Sequence, residues 1–507
     1  MNDGKICVSV CAETADELIE QIKRAEDLAD VIEIRFDCLA KDETKLTSQK
    51  MSELRSKKLL LATFRQSEQG GKRKLLSNDH IKFWQTSKID EITDLADFEF
   101  DLFTNNFGVS FENTIRSFHI FNRNLFINAP DFLSGLYKKM KTQYDGSIFK
   151  IAVQADDITD SIAVWKLLER AKTENKQIIP IAMGEAGKWT RILGLAHGAF
   201  MTYAALDAGR ETAPGQVSAK DLIEVYRVKN LDEETEVYGI LGNSTSVSMS
   251  PYMHNAAFQF HNLNAVFVPL QVNDLDEFIR RMVKPKTREV ELNFKGFAVT
   301  IPHKQSIIKH LDSIDETAKK IGAVNTVKII DGKLHGCNTD AQGFIEPLLN
   351  SYGDLQNAKV AVLGAGGAAR ACAYALKTAG AKVTIFARDL QKAQTLADDF
   401  GVESEELSNN NFNDFDILVN TTPLGMKGKA EDETPAFGEQ FKNVKLVYDL
   451  VYNPFQTLLL KEADRFHIPK IGGLAMLIAQ AMEQQKIWTG RDAPMQEMSR
   501  AVLKRLQ

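Results

Sequence analysis

The sequence predicts an α/β protein whose N-terminal part is a closed parallel (β/α)8 barrel and whose remainder is a two-part α/β unit with a Rossmann-type domain. Three observations predict it. Short β-branched runs alternate with amphipathic helical stretches from Lys5 to Leu206, about eight of them in roughly 200 residues. A polar patch, VKNLDEETE (Val228 to Glu236), then resets the pattern. Further on, NAKVAVLGAGGAARACAYALKTAGAKVTIFAR reads as strand, glycine turn, helix and strand.

The runs are, in order, KICVSV, VIEIRFDCL, KLLLATFR, LADFEFDL, TIRSFH, IFKIAVQ, QIIPIAMG and AFMTYAAL. Each is short enough for a strand and rich in residues that suit one. Between them lie stretches such as TADELIEQIKRAEDLA and DSIAVWKLLERAKTEN, whose apolar residues recur at helical spacing. The polar patch has no Gly/Ser or Pro-rich tether, so it predicts a short linker. VYGILGNS opens the second α/β part.

The 507 residues are 44% hydrophobic and 26% charged, the balance of a soluble globular protein of several domains. A net charge of −6 argues against nucleic acid or a membrane surface as partner. A small anion needs only a few local arginines. Five scattered cysteines with no CxxC pair predict reduced thiols in a reducing compartment. His254 and His261 flank HNAAFQFH, but no Cys or carboxylate cluster completes a metal site, so no metal is expected. MNDGKICVSV lacks the features of a signal or transit peptide, and no apolar run is long enough to span a bilayer. A cytoplasmic location is the expectation.

Barrel enzymes build their sites at the carboxyl ends of the strands, and the unusual polar residues collect there. Glu33, Arg35 and Asp37 alternate along VIEIRFD and share one face. Arg65 ends the third run, His119 ends the fifth, and Lys150 lies within the sixth. Arg191 follows the seventh, and Gln216 lies in ETAPGQ after the eighth. Taken singly, each suits a solvated strand or loop position. Together they suggest a pocket for an anion that carries a carbonyl. A lysine shielded from water has a lowered pKa and can attack a ketone to give an iminium. The iminium acidifies the adjacent C–H, and a histidine can take that proton and return it to a departing hydroxyl. The net result is a dehydration.

The pieces EIRFD, TFR…GG, SFH, FKIA, TR and TAPGQ resemble, in order, the type I 3-dehydroquinate dehydratases. The resemblance implies Lys150 as Schiff-base lysine and His119 as general acid and base. It implies Glu33, Arg35, Arg65, Arg191, Thr212 and Gln216 as substrate contacts. One position departs. The family usually has a glutamate before the paired glycines that helps to orient the histidine, and FRQSEQGG puts Gln69 there with Glu68 beside it. An amide can hydrogen-bond an imidazole but cannot neutralise an imidazolium. Either the dehydratase is slower than usual, or Glu68 substitutes, or the loop is shifted by one residue.

In the second half, GAGGAAR follows the strand KVAVL and opens a helix. Backbone at Gly364, Ala365, Gly366, Gly367 and Ala368 can approach a pyrophosphate at the helix N-terminus. The motif alone also fits a tight turn without ligand. Arg388 ends the next strand, where a cation suits the 2′-phosphate of NADP, and Asp389 blurs the choice against NAD. Lys304 follows the proline of GFAVTIPHK, Asn325 lies in GAVNTV and Asp340 in GCNTDAQG; each could be a turn residue. With GNSTSVSMSPYMHN, NTTPLGM, YDLVYNPFQTLLL and GGLAMLIAQ, these resemble the shikimate dehydrogenase family from Val237 to Gln507. The resemblance implies NADP as cofactor and Lys304 with Asp340 as the catalytic pair. It implies Ser248 and Ser250 on the substrate carboxylate, and Thr300, Asn325, Thr339, Tyr452 and Gln480 as further contacts. Met249 replaces the family's lysine between the serines, and Ala387-Arg388-Asp389 replaces its Asn-Arg-Thr.

The first family's product, 3-dehydroshikimate, is the second's substrate, and the order resembles the bifunctional fusions of plants and some bacteria. The implied domains are a dehydratase barrel (1–227), a linker (228–236), a substrate-binding domain (237–345), an NADP-binding Rossmann-type domain (346–475) and C-terminal helices packing back on the substrate domain (476–507). The implied partners are 3-dehydroquinate, 3-dehydroshikimate and shikimate, with neither nucleic acid nor membrane. One rival reading is a quinate dehydrogenase beside the same barrel; Ser248, Ser250 and Thr300 favour shikimate. Another is a metabolite-sensing regulator built from decayed copies, which requires loss of catalytic residues. Lys150, His119, Lys304 and Asp340 all remain.

Overall fold

Parallel pairing of the N-terminal runs follows from their spacing, since each crossover is long enough to carry the chain back over the sheet. The computed structural model describes residues 2–54, 56–74, 77–101, 113–129, 131–144, 146–408, 410–428 and 430–506. It divides into two compact units. The first is Met1–Val237, Asn243–Val247 and Asn264–Asn293; the second is Tyr238–Gly242, Ser248–Leu263 and Phe294–Gln507.

The first unit holds β1 (Lys5–Val10), β2 (Val31–Arg35), β3 (Leu59–Thr63), β4 (Leu95–Glu99), β5 (Asn113–Ile120), β6 (Ile148–Gln154), β7 (Ile178–Met183), β8 (Met201–Ala205) and a short β9 (Val217–Ser218). Strands β1 to β7 adjoin in sequence order and β8 pairs in parallel with β1. The predicted (β/α)8 arrangement is therefore present. Between β7 and β8 the ladder gives way to a backbone bond from Phe200 N–H to the Ile178 carbonyl at 2.9 Å. The cause is local. The same side of β7 carries Pro180, which has no N–H, and Ala182, whose N–H goes to Thr190 Oγ1 at 3.2 Å.

Helix Ala15–Ala25 is representative of the outer layer. Thr14 caps it by accepting the Glu17 N–H, and Leu18, Ile22 and Ala25 form its buried stripe. Inside the barrel, Val31, Leu61, Leu95, Ile115, Ile148 and Ile179 make an apolar floor. Further along, the inward positions Glu33, Thr63, Asp97, Ser117 and Lys150 are polar and buried. Strand β2 ends at Arg35, so Asp37 lies in the turn after it. The run LADFEFDL ends at Leu102, which is outside the described residues.

The cysteines correct one expectation. Cys11 and Cys38 form a disulfide, with Cα atoms 5.5 Å apart. Each follows the carboxyl end of one of two adjacent strands, a proximity that their separation of 27 residues conceals. Cys7, Cys337 and Cys372 are free thiols. The polar patch after the barrel is fastened down: Asn2 Nδ2 donates to the carbonyls of Val228 at 2.8 Å and Leu231 at 2.9 Å.

Strand β10 (Glu236–Gly242) begins in the first unit and ends in the second, and β11 (Ala265–Gln271) belongs to the first. In the second unit, β12 (Phe294–Val299), β14 (Thr326–Ile330), β15 (Lys333–Cys337) and β13 (Ser313–Ile314) adjoin in that order. A second sheet comprises β16 (Lys359–Leu363), β17 (Lys382–Ala387), β18 (Glu403–Glu406), β19 (Ile417–Asn420), β20 (Leu446–Asp449) and β21 (Lys470–Gly472). Its order is β18-β17-β16-β19-β20-β21, all parallel. The order reverses between β16 and β19, and a nucleotide crevice belongs at the carboxyl ends of such a pair. Met498 and Val502 of the last helix pack with Met249 and Met253. Among the described residues no helix is long and apolar enough to cross a membrane.

Candidate active sites

In the first unit, a cavity opens at the carboxyl ends of the strands, lined by Glu33, Arg35, Arg65, Gln69, His119, Phe121, Lys150, Arg191, Tyr203, Thr212 and Gln216 among others. Every barrel residue singled out from the sequence for substrate or catalysis lies on its wall. Lys150 projects inward from β6 and is 5% exposed. Its Nζ donates to Asp97 Oδ2 at 3.0 Å, lies 4.0 Å from Glu33 Oε1, and sits 3.9 Å over the Tyr203 ring. Burial lowers the lysine's pKa, against the pull of Asp97. Glu33 is pinned by Ser9 Oγ at 2.5 Å and Thr63 Oγ1 at 2.9 Å.

Arg65 is the hub. Its Nη2 donates to Asp97 Oδ2 at 2.6 Å, and its Nη1 lies 3.2 Å from Ser117 Oγ and 2.9 Å from His119 Nδ1. Burial alone would raise Asp97, but Arg65 and Lys150 hold it down at about 2. Burial and the cations Arg65 and Lys150 push His119 well below the usual histidine value, so the ring is neutral and can accept a proton. Arg35 forms a bidentate pair with Asp37, both bonds at 2.8 Å. Arg191 donates to the Pro214 carbonyl at 3.3 Å while its Nε has no partner. Gln216 Oε1 accepts the Thr212 N–H at 2.8 Å.

Gln69 is where one expectation fails. Its Oε1 accepts the backbone N–H of His119 at 2.9 Å, not the imidazole. Glu68 does not substitute: it is exposed and bonds Ser67 Oγ at 2.9 Å. The histidine's side-chain neighbour is a cation, Arg65.

In the second unit, Lys304 Nζ donates to Asp340 Oδ2 at 2.5 Å. Asn325 Nδ2 donates to Asp340 Oδ1 at 2.8 Å and to Thr339 Oγ1 at 2.9 Å, tying the start of helix Asp340–Tyr352 to the end of the preceding loop. Thr300 is joined to β10 through its N–H to the Leu241 carbonyl at 2.9 Å. Ser250 opens helix Ser250–Phe260, and its N–H donates to Ser248 Oγ at 3.2 Å. Gln480 packs against Gly343, where a Cβ would lie 2.6 Å away. Tyr452 packs beside Met249, which is buried in an apolar cluster; a lysine's charge would be costly there.

The glycine turn meets the requirements of a dinucleotide. Gly364 has φ +116° and a Cβ there would lie 2.5 Å from Thr421 Oγ1. A Cβ on Gly366 would meet nothing within 4 Å, which leaves open space at the N-terminus of helix Gly367–Thr378. Ala365 and Ala368 carry small side chains beside it. Arg388 is exposed after β17 and makes no ion pair among the described residues. These residues fit an NADP pyrophosphate and 2′-phosphate. His254, by contrast, is buried between Gln484 and Gln485 at 3.2 and 3.1 Å. Among the described residues no group of His, Cys, Asp and Glu could hold a metal.

The profile of the type I 3-dehydroquinases matches residues 6–233, and that of the shikimate dehydrogenase substrate binding domain matches 240–327. The shikimate/quinate 5-dehydrogenase profile matches 348–424, and the shikimate 5′-dehydrogenase C-terminal domain matches 473–503. A bifunctional 3-dehydroquinate dehydratase/shikimate dehydrogenase of Arabidopsis thaliana, described as chloroplastic, is 34% identical over 97% of this chain and 83% of its own. The chain belongs to the bifunctional 3-dehydroquinate dehydratase/shikimate dehydrogenase family. Its dehydrogenase half is also 40% identical to a shikimate dehydrogenase (NADP(+)) of Methanothermobacter thermautotrophicus, over 53% of this chain and 96% of that one. A solved shikimate dehydrogenase in complex with NADP+ superposes with a TM-score of 0.50 at 37% identity, covering 55% of this chain and 98% of that chain.

In the dehydratase half, the sequence reading missed Asp97, Ser117 and Tyr203, which surround the lysine. A signal was present for the first: Asp97, Glu99 and Asp101 alternate in LADFEFD as Glu33, Arg35 and Asp37 do in VIEIRFD. Nothing in the run AFMTYAAL marked the tyrosine as lying beneath a charge.

Proposed function

We propose that the dehydratase half converts 3-dehydroquinate to 3-dehydroshikimate through an iminium on Lys150. The observation that carries this is a buried amine at the base of a cationic cavity, 3.0 Å from Asp97 with His119 nearby. The neutral amine attacks the ring ketone, and water leaves as the iminium forms. His119 removes the proton from the adjacent carbon, then gives it to the departing hydroxyl, which leaves as a second water. Hydrolysis frees the product and the lysine. Arg35, Arg191 and Gln216 hold the carboxylate and hydroxyls in place, and Glu33 and Thr212 complete the wall. Borohydride with 3-dehydroquinate should attach ligand mass at Lys150. Lys150→Ala should abolish that label and the dehydration, yet leave reduction of added 3-dehydroshikimate intact; a label elsewhere in the barrel removes the assignment.

The dehydrogenase half reduces 3-dehydroshikimate to shikimate with NADP as cofactor. When bound at the glycine turn, NADPH would supply the hydride for the ketone carbon. Lys304 donates the proton to the ketone oxygen, held in position by Asp340, which Asn325 orients in turn. Ser248 and Ser250 take the substrate carboxylate; Thr300, Thr339, Tyr452 and Gln480 take the rest of the ring. The turn Gly364–Ala368 and Arg388 hold the cofactor. The reading we propose keeps the borders 1–227, 228–236, 237–345, 346–475 and 476–507, a cytoplasmic setting and small molecules as partners.

A further inference from the structure

Arg65 is held on both sides by two buried side chains that the dehydration scheme leaves unused. On one side, His80 Nε2 lies 2.5 Å from the Phe64 carbonyl oxygen. A carbonyl can only accept, so this nitrogen carries the proton. On the other, the Gln66 N–H donates to Glu99 Oε1 at 3.0 Å. The two grips face each other. His80 Nδ1 is 3.6 Å from Glu99 Oε2, each side chain is almost fully buried, and Oε2 has no hydrogen-bond partner.

With Nε2 protonated, Nδ1 of a neutral His80 presents a lone pair. Opposite an ionised Glu99 it would meet a second acceptor at 3.6 Å. One proton on the pair turns this repulsion into a donor facing an acceptor. We propose that His80 and Glu99 are a proton-sharing positioning pair: they fix the backbone of Arg65, and through its guanidinium the cluster of Asp97, Ser117 and His119, and they lose that hold when the pair gives up its proton. The inference rests on the assignment of this cavity as the dehydratase site.

Arg65 acts on reacting groups through one side chain, so a shift of its backbone moves three contacts at once. The charges around the pair come from four elements: Arg65 after β3, Asp97 in β4, Asp101 after β4 and Asp37 after β2. Burial pushes Glu99 up to about 7, with Arg65 opposing and Asp97 and Asp101 assisting. Burial also lowers His80. The proton therefore rests on the carboxyl below neutrality and leaves as the medium turns alkaline.

The test uses the full chain and follows 3-dehydroquinate dehydration from mildly acidic to alkaline pH. The parent should lose kcat/KM as pH rises through about 7 to 8. Glu99→Gln keeps an acceptor for Gln66 and a permanent donor for His80, so it should retain activity and lose that alkaline fall. Glu99→Leu should lose about ten- to a hundredfold below about pH 7, where the parent pair holds its proton, and the difference from the parent should shrink as the parent falls. An alkaline fall that persists unchanged in Glu99→Gln, or full activity in Glu99→Leu, overturns the proposal. Circular dichroism shows whether Glu99→Leu has folded; if it has not, the Glu99→Gln profile decides alone. Borohydride labelling of the parent separates the two levels. No label at Lys150 removes the site assignment and this inference with it, whereas a label at Lys150 with an unchanged Glu99→Gln profile removes this inference only.

Discussion

Gln69 binds the backbone of His119 and leaves the imidazole beside Arg65. The residue therefore fixes where β5 ends and does little for the ring's charge. Gln69→Glu puts a carboxylate on the cavity wall near a histidine that must become an imidazolium. It should raise dehydratase turnover by up to about tenfold, and KM less, because the charge acts once the ring holds its proton. The acidic limb of the pH–rate profile should move upward, since an adjacent anion raises a histidine's pKa. An unmoved limb would show that the side chain serves only the backbone. At the cofactor turn, a charge-assisted contact is worth roughly 1.5–3 kcal/mol. Arg388→Ala should thus raise KM for NADPH by about one to two decades and barely change that for NADH. Equal losses for both cofactors would remove the assignment to the 2′-phosphate.

Elements carry the sites by placing strand ends together. The glycine turn between β16 and helix Gly367–Thr378 works because Gly364 adopts φ +116° against Thr421. Gly364→Ala adds both backbone strain, about 1–3 kcal/mol, and a clash at 2.5 Å with Thr421 Oγ1. It should lower thermal stability and weaken NADPH binding while dehydration continues, as calorimetry and separate assays can measure; normal NADPH affinity would show that the turn does not need this conformation. The same scale shows why the elements were legible. Runs such as IFKIAVQ and QIIPIAMG are buried on both faces, so composition and length marked them even without alternation. The gap in the ladder between β7 and β8 was not legible. It depends on Pro180 and Ala182 facing β8, which is a matter of register.

Across the whole molecule, buried histidines link stability to acidity. Burial lowers His254 to about 3, with Gln484 opposing, and lowers His197 to about 4. Both ordinarily titrate near 6.5, so the unfolded chain takes up protons that the folded one refuses. Their contribution is complete above about 6.5 and is lost as pH falls toward the folded values. Glu99 works in the opposite sense, being raised to about 7, and costs stability as pH rises from its ordinary range to that value. Melting temperature should therefore fall between about pH 6.5 and 4.5, and His254→Gln should flatten part of that slope. An equal slope in the variant would show that His254 titrates normally.

The sequence by itself determined the order of strands and helices and the barrel followed by a Rossmann-type domain, and it singled out Lys150, His119, Lys304 and Asp340 as candidates. Period and spacing are local properties, and ordered motifs survive as text. The partners of those residues were decided by tertiary structure alone. Asp97 meets Lys150 across 53 positions, Glu99 grips the N–H of Gln66 across 33, and Cys11 reaches Cys38 across 27. Each contact needs β-strands laid side by side in one register, and register is fixed by the packing of the whole barrel rather than by any one stretch of chain.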